Sequence, residues 1–241
     1  MRKGLEIAGR IGNRPAQMFA TQSLCFCLTA GRYAEAGEFQ AEALEQARAL
    51  KARRYEALIL ARRAEVALSR GCRGEALTLA RRGREIANET GPRFRGPLIH
   101  GLIALAPDVR EEREAALAAG EALVAKGDVG HNHFWFRRYA IERALLDEDW
   151  DEAERQADAL LGRTAEEPLA YASCVAARAQ VLARRGRGNA TAADENKLRQ
   201  AFVVAADKHF HHRWAVAPSR TTALGELTHS PHRRRMTSIC A

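Results

Sequence analysis

The sequence predicts an all-α fold and, more narrowly, an α-solenoid of about five antiparallel helix hairpins. The first observation is a Glu-Ala pair that returns at nearly constant spacing. The second is that two of these pairs follow a glycine-containing segment able to end one helix and start another. Because one hairpin cannot bury its own apolar stripe, such hairpins are stable only when stacked on neighbours. The pairs are Glu35-Ala36, Glu75-Ala76, Glu114-Ala115 and Glu152-Ala153.

Small residues recur at a second position of the repeat. Ala43, Gly83 and Ala122 occupy equivalent places after the Glu-Ala pairs. Small residues at fixed points let two helix backbones approach closely, while larger apolar side chains fill the space around them. The alternative is an alanine-rich helical bundle in which the matching register arises by chance.

Helix boundaries follow from apolar periodicity and from residues that start or stop helices. Pro15 suits a helix start, Gly91-Pro92 suits a helix end, and Asp108 suits an N-cap. Residues 5–12 match the end of a second helix, so the predicted repeat domain, residues 1–210, begins inside a repeat. We therefore expect the chain to be a C-terminal piece of a longer protein, with a gene start assigned too late as the alternative. The predicted helix pairs are 17–30 with 34–50, 56–70 with 73–89, 96–106 with 110–126, 133–146 with 150–161, and 168–185 with 192–210.

Residues 211–241 lack helical periodicity and contain Pro218, Pro231 and a run of three arginines at 233–235. They are predicted to form a disordered basic tail, with a functional basic tail as the alternative. The chain has a net charge of +8, and this tail carries about half of it. The repeats carry the rest among interspersed acidic side chains, which argues against the single basic face that nucleic acids need.

Gly31, Tyr33 and Ala36 place a glycine, an aromatic residue and an alanine across a turn, and the segment 149–153 repeats the aromatic residue and the alanine. This order resembles that of tetratricopeptide (TPR) repeats, although the spacing exceeds the usual ~34 residues. Longer units of this kind are similar to the C-terminal arrays of two groups of bacterial signalling proteins. One group is adenylate cyclases that carry an AAA-type ATPase module, and the other is maltose-activator-like transcription regulators.

The resemblance implies a cytoplasmic, non-catalytic protein-interaction or regulatory module of a bacterial signalling protein. Its partner would be a protein or peptide segment in a concave groove, or the protein's own N-terminal modules. The alternative is a repeat domain that senses a small effector and controls an attached cyclase or transcription-regulator module. For Trp135 the residues themselves favour packing between repeats, because aromatic side chains bury a large area, and a place on the concave wall is the alternative. The implied groove positions are Thr21, Cys25, Glu65, Trp135, Arg138, Glu142 and Gln180.

The sequence contains none of the motifs GxxxxGK[ST], GxGxxG, GxSxG or HExxH, which mark nucleotide binding or catalysis. We therefore expect no enzyme activity, no catalytic residues, no cofactor and no bound metal. His131-Asn132-His133 is too sparse for zinc, which needs about four converging ligands. The acidic residues between 147 and 152 are predicted to cap a helix rather than to bind calcium.

The five cysteines are scattered and form no CxxC pair. We expect them to be free thiols in a reducing cytosol. No apolar run approaches the ~18 residues of a membrane-spanning helix. These features predict a cytoplasmic protein that does not bind a membrane.

Overall fold

The computed structural model of the chain describes residues 2–28, 33–106, 109–127 and 130–207. Every regular element in these ranges is an α-helix, which confirms the all-α prediction. The predicted tail at 211–241, the Gly31 turn and the Asp108 cap lie outside the described residues. The helices are α1 (Arg2–Arg10), α2 (Arg14–Leu28), α3 (Tyr33–Ala49), α4 (Arg53–Ser69), α5 (Arg73–Thr90), α6 (Gly96–Leu105), α7 (Arg110–Ala125), α8 (Gly130–Leu146), α9 (Trp150–Arg163), α10 (Ala170–Gly186) and α11 (Ala192–Asp207).

The helices occur close to the predicted places and follow a regular interval. The second helices of the pairs, α3, α5, α7, α9 and α11, start about 40 residues apart. Helix α1 coincides with the segment predicted to be the end of a second helix. These intervals agree with a repeat, while the stacking of the pairs into one solenoid stays a prediction.

The chain divides into two compact units. Of the described residues, the first unit contains those within 2–67 and 73–136, and the second contains those within 68–72 and 137–207. In the first unit α1 packs against α2, α2 against α3, α5 against α6, and α6 against α7. In the second unit α10 packs against both α9 and α11.

One helix in each unit is covered on most of its surface. All ten residues of α6 are buried in the first unit, including Ile99, Leu102 and Ile103. A helix that is apolar all round is stable only when its neighbours cover it all round. In the second unit α10 has ten buried residues, half of them alanine. Alanine adds little bulk, so the helices that pack on α10 lie close to its backbone.

The buried alanines define the register of the repeat. Ala36, Ala76 and Ala153 are buried, as the Glu-Ala pairs predict. In the third repeat the prediction is wrong by one residue, because Ala116 is buried and Ala115 is exposed. The sequence pattern does not show which of two adjacent alanines is buried. That depends on which face of the helix meets the next helix.

The second small position is also shifted in the third repeat. Ala43 and Gly83 are buried as predicted, but Ala122 is exposed and Gly120 takes the buried place. A Cβ on Gly83 would lie 3.4 Å from a backbone oxygen of α4, and a Cβ on Gly120 would overlap the ring of Phe136. These two glycines therefore mark close helix approaches in the first unit.

Acidic residues cap α9, as predicted. The Asp149 side chain accepts a hydrogen bond from the backbone N–H of Glu152 at 3.1 Å. Asp151 and Glu152 lie in the first turn, where the helix dipole favours negative charge. Within the described ranges, no group of three or more His, Cys, Asp or Glu side chains is arranged to hold a metal ion.

Replacing Gly120 with alanine tests the close approach to Phe136. The added methyl group would overlap a ring that is fully buried, so we expect the free energy of unfolding to fall by about 1–3 kcal/mol. Gly37→Ala is the matched control, because a Cβ there meets nothing within 4 Å, and alanine is favoured over glycine in a helix by about 0.5–1 kcal/mol. Urea denaturation followed by circular dichroism measures both variants, and equal stabilities would contradict the packing.

Candidate functional site

The seven predicted groove residues fall into two groups, one in each compact unit. Thr21 is fully buried on α2, and the side chain of Cys25 lies outside the described ones. The other five positions make contacts with neighbouring side chains of their own unit. The first unit holds Thr21, Cys25, Glu65 and Trp135, and the second holds Arg138, Glu142 and Gln180.

Glu142 of α8 forms a buried ion pair with Arg178 of α10. Arg178 Nη1 donates to one carboxylate oxygen at 2.6 Å, and Nη2 donates to the other at 3.3 Å. The two side chains are only 6% and 9% exposed. Removing one partner of such a pair leaves an uncompensated buried charge, whereas the intact pair joins two helices. Glu142 therefore takes part in the packing of the second unit, and its role toward a partner stays a prediction.

Gln180 and Arg138 also make contacts within the second unit. The Gln180 amide donates to Asp158 at 3.0 Å and accepts from Lys197 at 2.9 Å, which links α10 to α9 and α11. Arg138 is buried, and its guanidinium carbon lies 5.1 Å from the centre of the Tyr139 ring. Little of this predicted surface is accessible, because Arg138 and the Glu142 carboxylate are both buried.

In the first unit, Arg62 of α4 brings together two predicted groove residues. Its Nη1 donates to Glu65 at 2.7 Å, and its guanidinium carbon lies 4.7 Å from the centre of the Trp135 ring. A guanidinium over an indole face is attracted by the ring quadrupole, by about 0.5–2 kcal/mol. Arg62 was missing from the predicted groove, although its place three residues before Glu65 is the spacing of a helical ion pair.

Arg95, directly before α6, adds a second guanidinium. Its Nη1 lies 2.7 Å from Nε2 of His131, near the start of α8. Because an arginine only donates, Nε2 accepts and the imidazole carries its proton on Nδ1. The guanidinium carbon of Arg95 also lies 4.6 Å from the centre of the Phe94 ring. We use the name Arg62–Arg95 cluster for five residues: Arg62, Glu65, Arg95, His131 and Trp135.

The Arg62–Arg95 cluster is electropositive and partly shielded from solvent. Burial and, to a smaller extent, the charge of Arg62 lower the pKa of Arg95 to about 10, against an opposing effect of Tyr55. Burial lowers the pKa of His131 as well, together with the charges of Arg95 and Arg62. At neutral pH Arg95 is therefore charged and His131 neutral. The Nε of Arg95 is buried and has no hydrogen-bond partner among the described residues.

The side chains of His131-Asn132-His133 point to different partners. Asn132 is buried, and its amide donates to the carbonyl oxygen of Phe94 at 2.6 Å. This bond ties the start of α8 to the segment before α6. The buried ring of His133 lies edge to face with Phe134 at 6.0 Å between centres. His131 and His133 therefore do not converge on a common point as metal ligands would.

A second charged region of the first unit is a cleft of about 660 Å³. Burial raises the pKa of Glu56, but hydrogen bonds from Arg48 at 3.1 Å and Arg53 at 2.7 Å outweigh burial and lower it. Arg82 pairs with Glu85 at 2.6 Å. Since three of its four cations already bind carboxylates, the cleft attracts an anion less than its lining suggests. The lining residues are Arg48, Lys51, Arg53, Glu56 and Arg82.

The prediction about cysteines is corrected at one position. Cys72 is disulfide-bonded, so the expectation of free thiols is wrong there. Cys174 of α10 is free and buried, and burial raises the pKa of its thiol. Sequence spacing does not show which cysteines a fold brings within the short Cα separation of a disulfide.

In comparisons with known proteins, no family model, curated protein or solved structure matches this chain. Among the helices that the structure describes, none is long and apolar enough to cross a lipid bilayer.

The pKa of His131 tests the electrostatics of the Arg62–Arg95 cluster. We expect a pKa below the usual 6.5, and Arg95→Met should raise it because the substitution removes a nearby positive charge. Titration of the imidazole Cε1 proton by NMR measures the pKa, and a His131→Gln variant assigns the signal. Arg82→Met, which removes an exposed arginine outside the cluster, is the control that should leave the pKa unchanged. A pKa in Arg95→Met equal to that of the unsubstituted chain would contradict the described contact.

The buried ion pair predicts a large loss of stability when one partner is removed. Arg178→Met leaves the Glu142 carboxylate buried without its partner, so we expect the free energy of unfolding to fall by about 3–5 kcal/mol. Replacing both residues by leucine should recover much of that loss, because no buried charge remains. Arg155→Met is the control within the same unit, since the Arg155 side chain is 56% exposed, and it should change stability by less than about 1 kcal/mol. Guanidinium denaturation measures all three, and equal effects of Arg178→Met and Arg155→Met would refute the assignment.

Proposed function

We propose that this chain is a non-catalytic helical-repeat interaction module that binds a protein segment through the Arg62–Arg95 cluster of its first unit. The observation that carries the proposal is Arg62, which contacts Glu65 at 2.7 Å and lies 4.7 Å from the centre of the Trp135 ring. Tryptophan and arginine dominate the binding energy of many protein interfaces. Trp135 is half-buried, so its ring is held in place while part of it remains accessible.

The charge of the cluster favours a partner segment with acidic side chains. Glu65 balances Arg62, but among the described residues no carboxylate lies within ion-pair distance of Arg95. A carboxylate of the partner would accept two parallel hydrogen bonds from the planar guanidinium of Arg95. An apolar side chain beside that carboxylate would cover the accessible part of Trp135.

The regular interval of the helix pairs supports a repeat protein of the TPR-like solenoid type. In such an array the first helices of the pairs line the concave surface, and α4 and α8, which carry Arg62 and Trp135, are first helices. The resemblance to repeat arrays of bacterial signalling proteins supports a role in binding segments of other proteins or of the same protein.

Selection from a random peptide display library tests the proposal and requires no assumption about the sequence of the partner. We expect the chain to enrich peptides with acidic side chains, and Trp135→Ala and Arg62→Met each to weaken their binding by at least about tenfold, since interface tryptophans and arginines contribute about 2 kcal/mol or more. Fluorescence anisotropy of the labelled peptides measures the affinities.

Arg82→Met is the matched control, because Arg82 belongs to the same unit but pairs with Glu85 outside the cluster. It should keep the affinity of the unsubstituted chain, and circular dichroism should show all variants folded. Peptides that bind Trp135→Ala and Arg62→Met as tightly as the unsubstituted chain, or a selection that enriches no peptide, would reject the proposal.

A further inference from the structure

We propose that Arg62, Arg95 and His131 form a binding site for a small phosphate-type oxyanion in the first unit. This inference goes beyond the proposed function and does not depend on it, since an anion can bind Arg95 in the absence of any protein partner. The three side chains come from three segments: α4, the residue before α6, and the first turn of α8. A site built from separate segments has a defined shape only in the folded unit.

The charge balance of the cluster leaves one positive charge without a carboxylate. Arg62 donates to Glu65 at 2.7 Å. Arg95 contacts the neutral His131 and the Phe94 ring, and none of its contacts among the described residues is an ion pair. A shielded cation gains most from a counter-ion, because little water remains to solvate it. An oxyanion would supply that counter-charge.

The donors of the cluster fit an oxyanion better than a metal or an apolar ligand. The Arg95 Nε is a buried donor with no hydrogen-bond partner in the described part of the chain. A bound oxygen would satisfy this donor, and a guanidinium presents its donors in the fork that matches two oxygens of a phosphate. Arg95 is also the N-cap of α6, and His131 lies in the first turn of α8. Both helix ends add partial positive charge.

The exposure of the residues favours a small anion. Arg62 is 8% exposed and Arg95 is partly buried, whereas His131 is exposed. An anion that contacts both arginines must therefore be compact. The cleft lined by Arg48 and Arg82 is the competing location for an anion, but most of its cations already bind carboxylates.

Isothermal titration calorimetry with inorganic phosphate tests the site at pH 7.5 and constant ionic strength. We expect saturable binding to the full chain, weakened at least about tenfold by Arg95→Met, which removes a charge-assisted hydrogen-bond donor. Arg95→Lys keeps the positive charge but lacks the planar guanidinium. Its affinity for phosphate should therefore lie between those of the unsubstituted chain and of Arg95→Met. Arg82→Met should bind within about twofold of the unsubstituted chain, because it alters only the competing cleft.

An NMR readout on His131 separates specific binding from general screening. Saturating phosphate should raise the pKa of His131, because a nearby anion stabilises the imidazolium form, whereas chloride at the same ionic strength should not. Two further titrations use other ligands: a phosphate monoester of a small sugar in one, and acetate in the other. Binding of the ester would point to a phosphorylated metabolite, and acetate binding as tight as phosphate binding would overturn the preference for phosphate.

Two results would overturn the site: no saturable phosphate binding by the unsubstituted chain, or binding that Arg82→Met abolishes and Arg95→Met does not. If Arg95→Met does not fold, Arg95→Lys and the His131 titration of the unsubstituted chain still decide the matter. Failure here is distinct from failure of the proposed function, since peptide binding is measured through Trp135→Ala without phosphate.

Discussion

Close helix packing in this chain depends on glycines that face aromatic rings, because a glycine has no Cβ atom to collide with the ring. Gly120 faces Phe136 in the first unit, Gly186 faces Trp150 in the second, and an alanine at either glycine would overlap the ring. Aromatic residues make up only 6% of the chain, so each ring supplies much of the buried area around it. Close packing around these few rings therefore supplies van der Waals contacts that more numerous bulky side chains supply in other helical proteins.

Arg178, which is buried, and Arg95, which is partly buried, have different roles, because their neighbouring side chains differ. Arg178 meets the Glu142 carboxylate inside the second unit, and the pair joins α8 to α10. Arg95 meets an imidazole and a ring in the first unit, so its charge is not neutralised by a carboxylate. The charge of an arginine is thus neutralised by a carboxylate inside one unit and left without a carboxylate, among the described residues, in the other.

Contacts between side chains of α4, the segment before α6 and the start of α8 create the Arg62–Arg95 cluster. Arg95 and His131 are 36 residues apart, as are Glu142 and Arg178, which is close to one repeat. Asn132 positions His131 by binding the carbonyl oxygen of Phe94, the residue before Arg95. The cluster therefore needs α4, the segment before α6 and the start of α8 in their mutual positions, and a shift of one of them would separate its side chains.

The sequence by itself determined that the chain is helical, where most helices begin and end, and that Asp149 caps α9, because periodicity, turns and caps are local properties. The resemblance to repeat arrays also implied Glu65 and Trp135 as groove positions; the structure places both against Arg62, and their role toward a partner stays a prediction. Only the tertiary structure decided that Ala116 and Gly120 are the buried small residues of the third repeat. Only it placed Arg62 and Arg95 in the cluster, because such contacts depend on which helix faces meet across a whole repeat, and a local pattern does not contain that information.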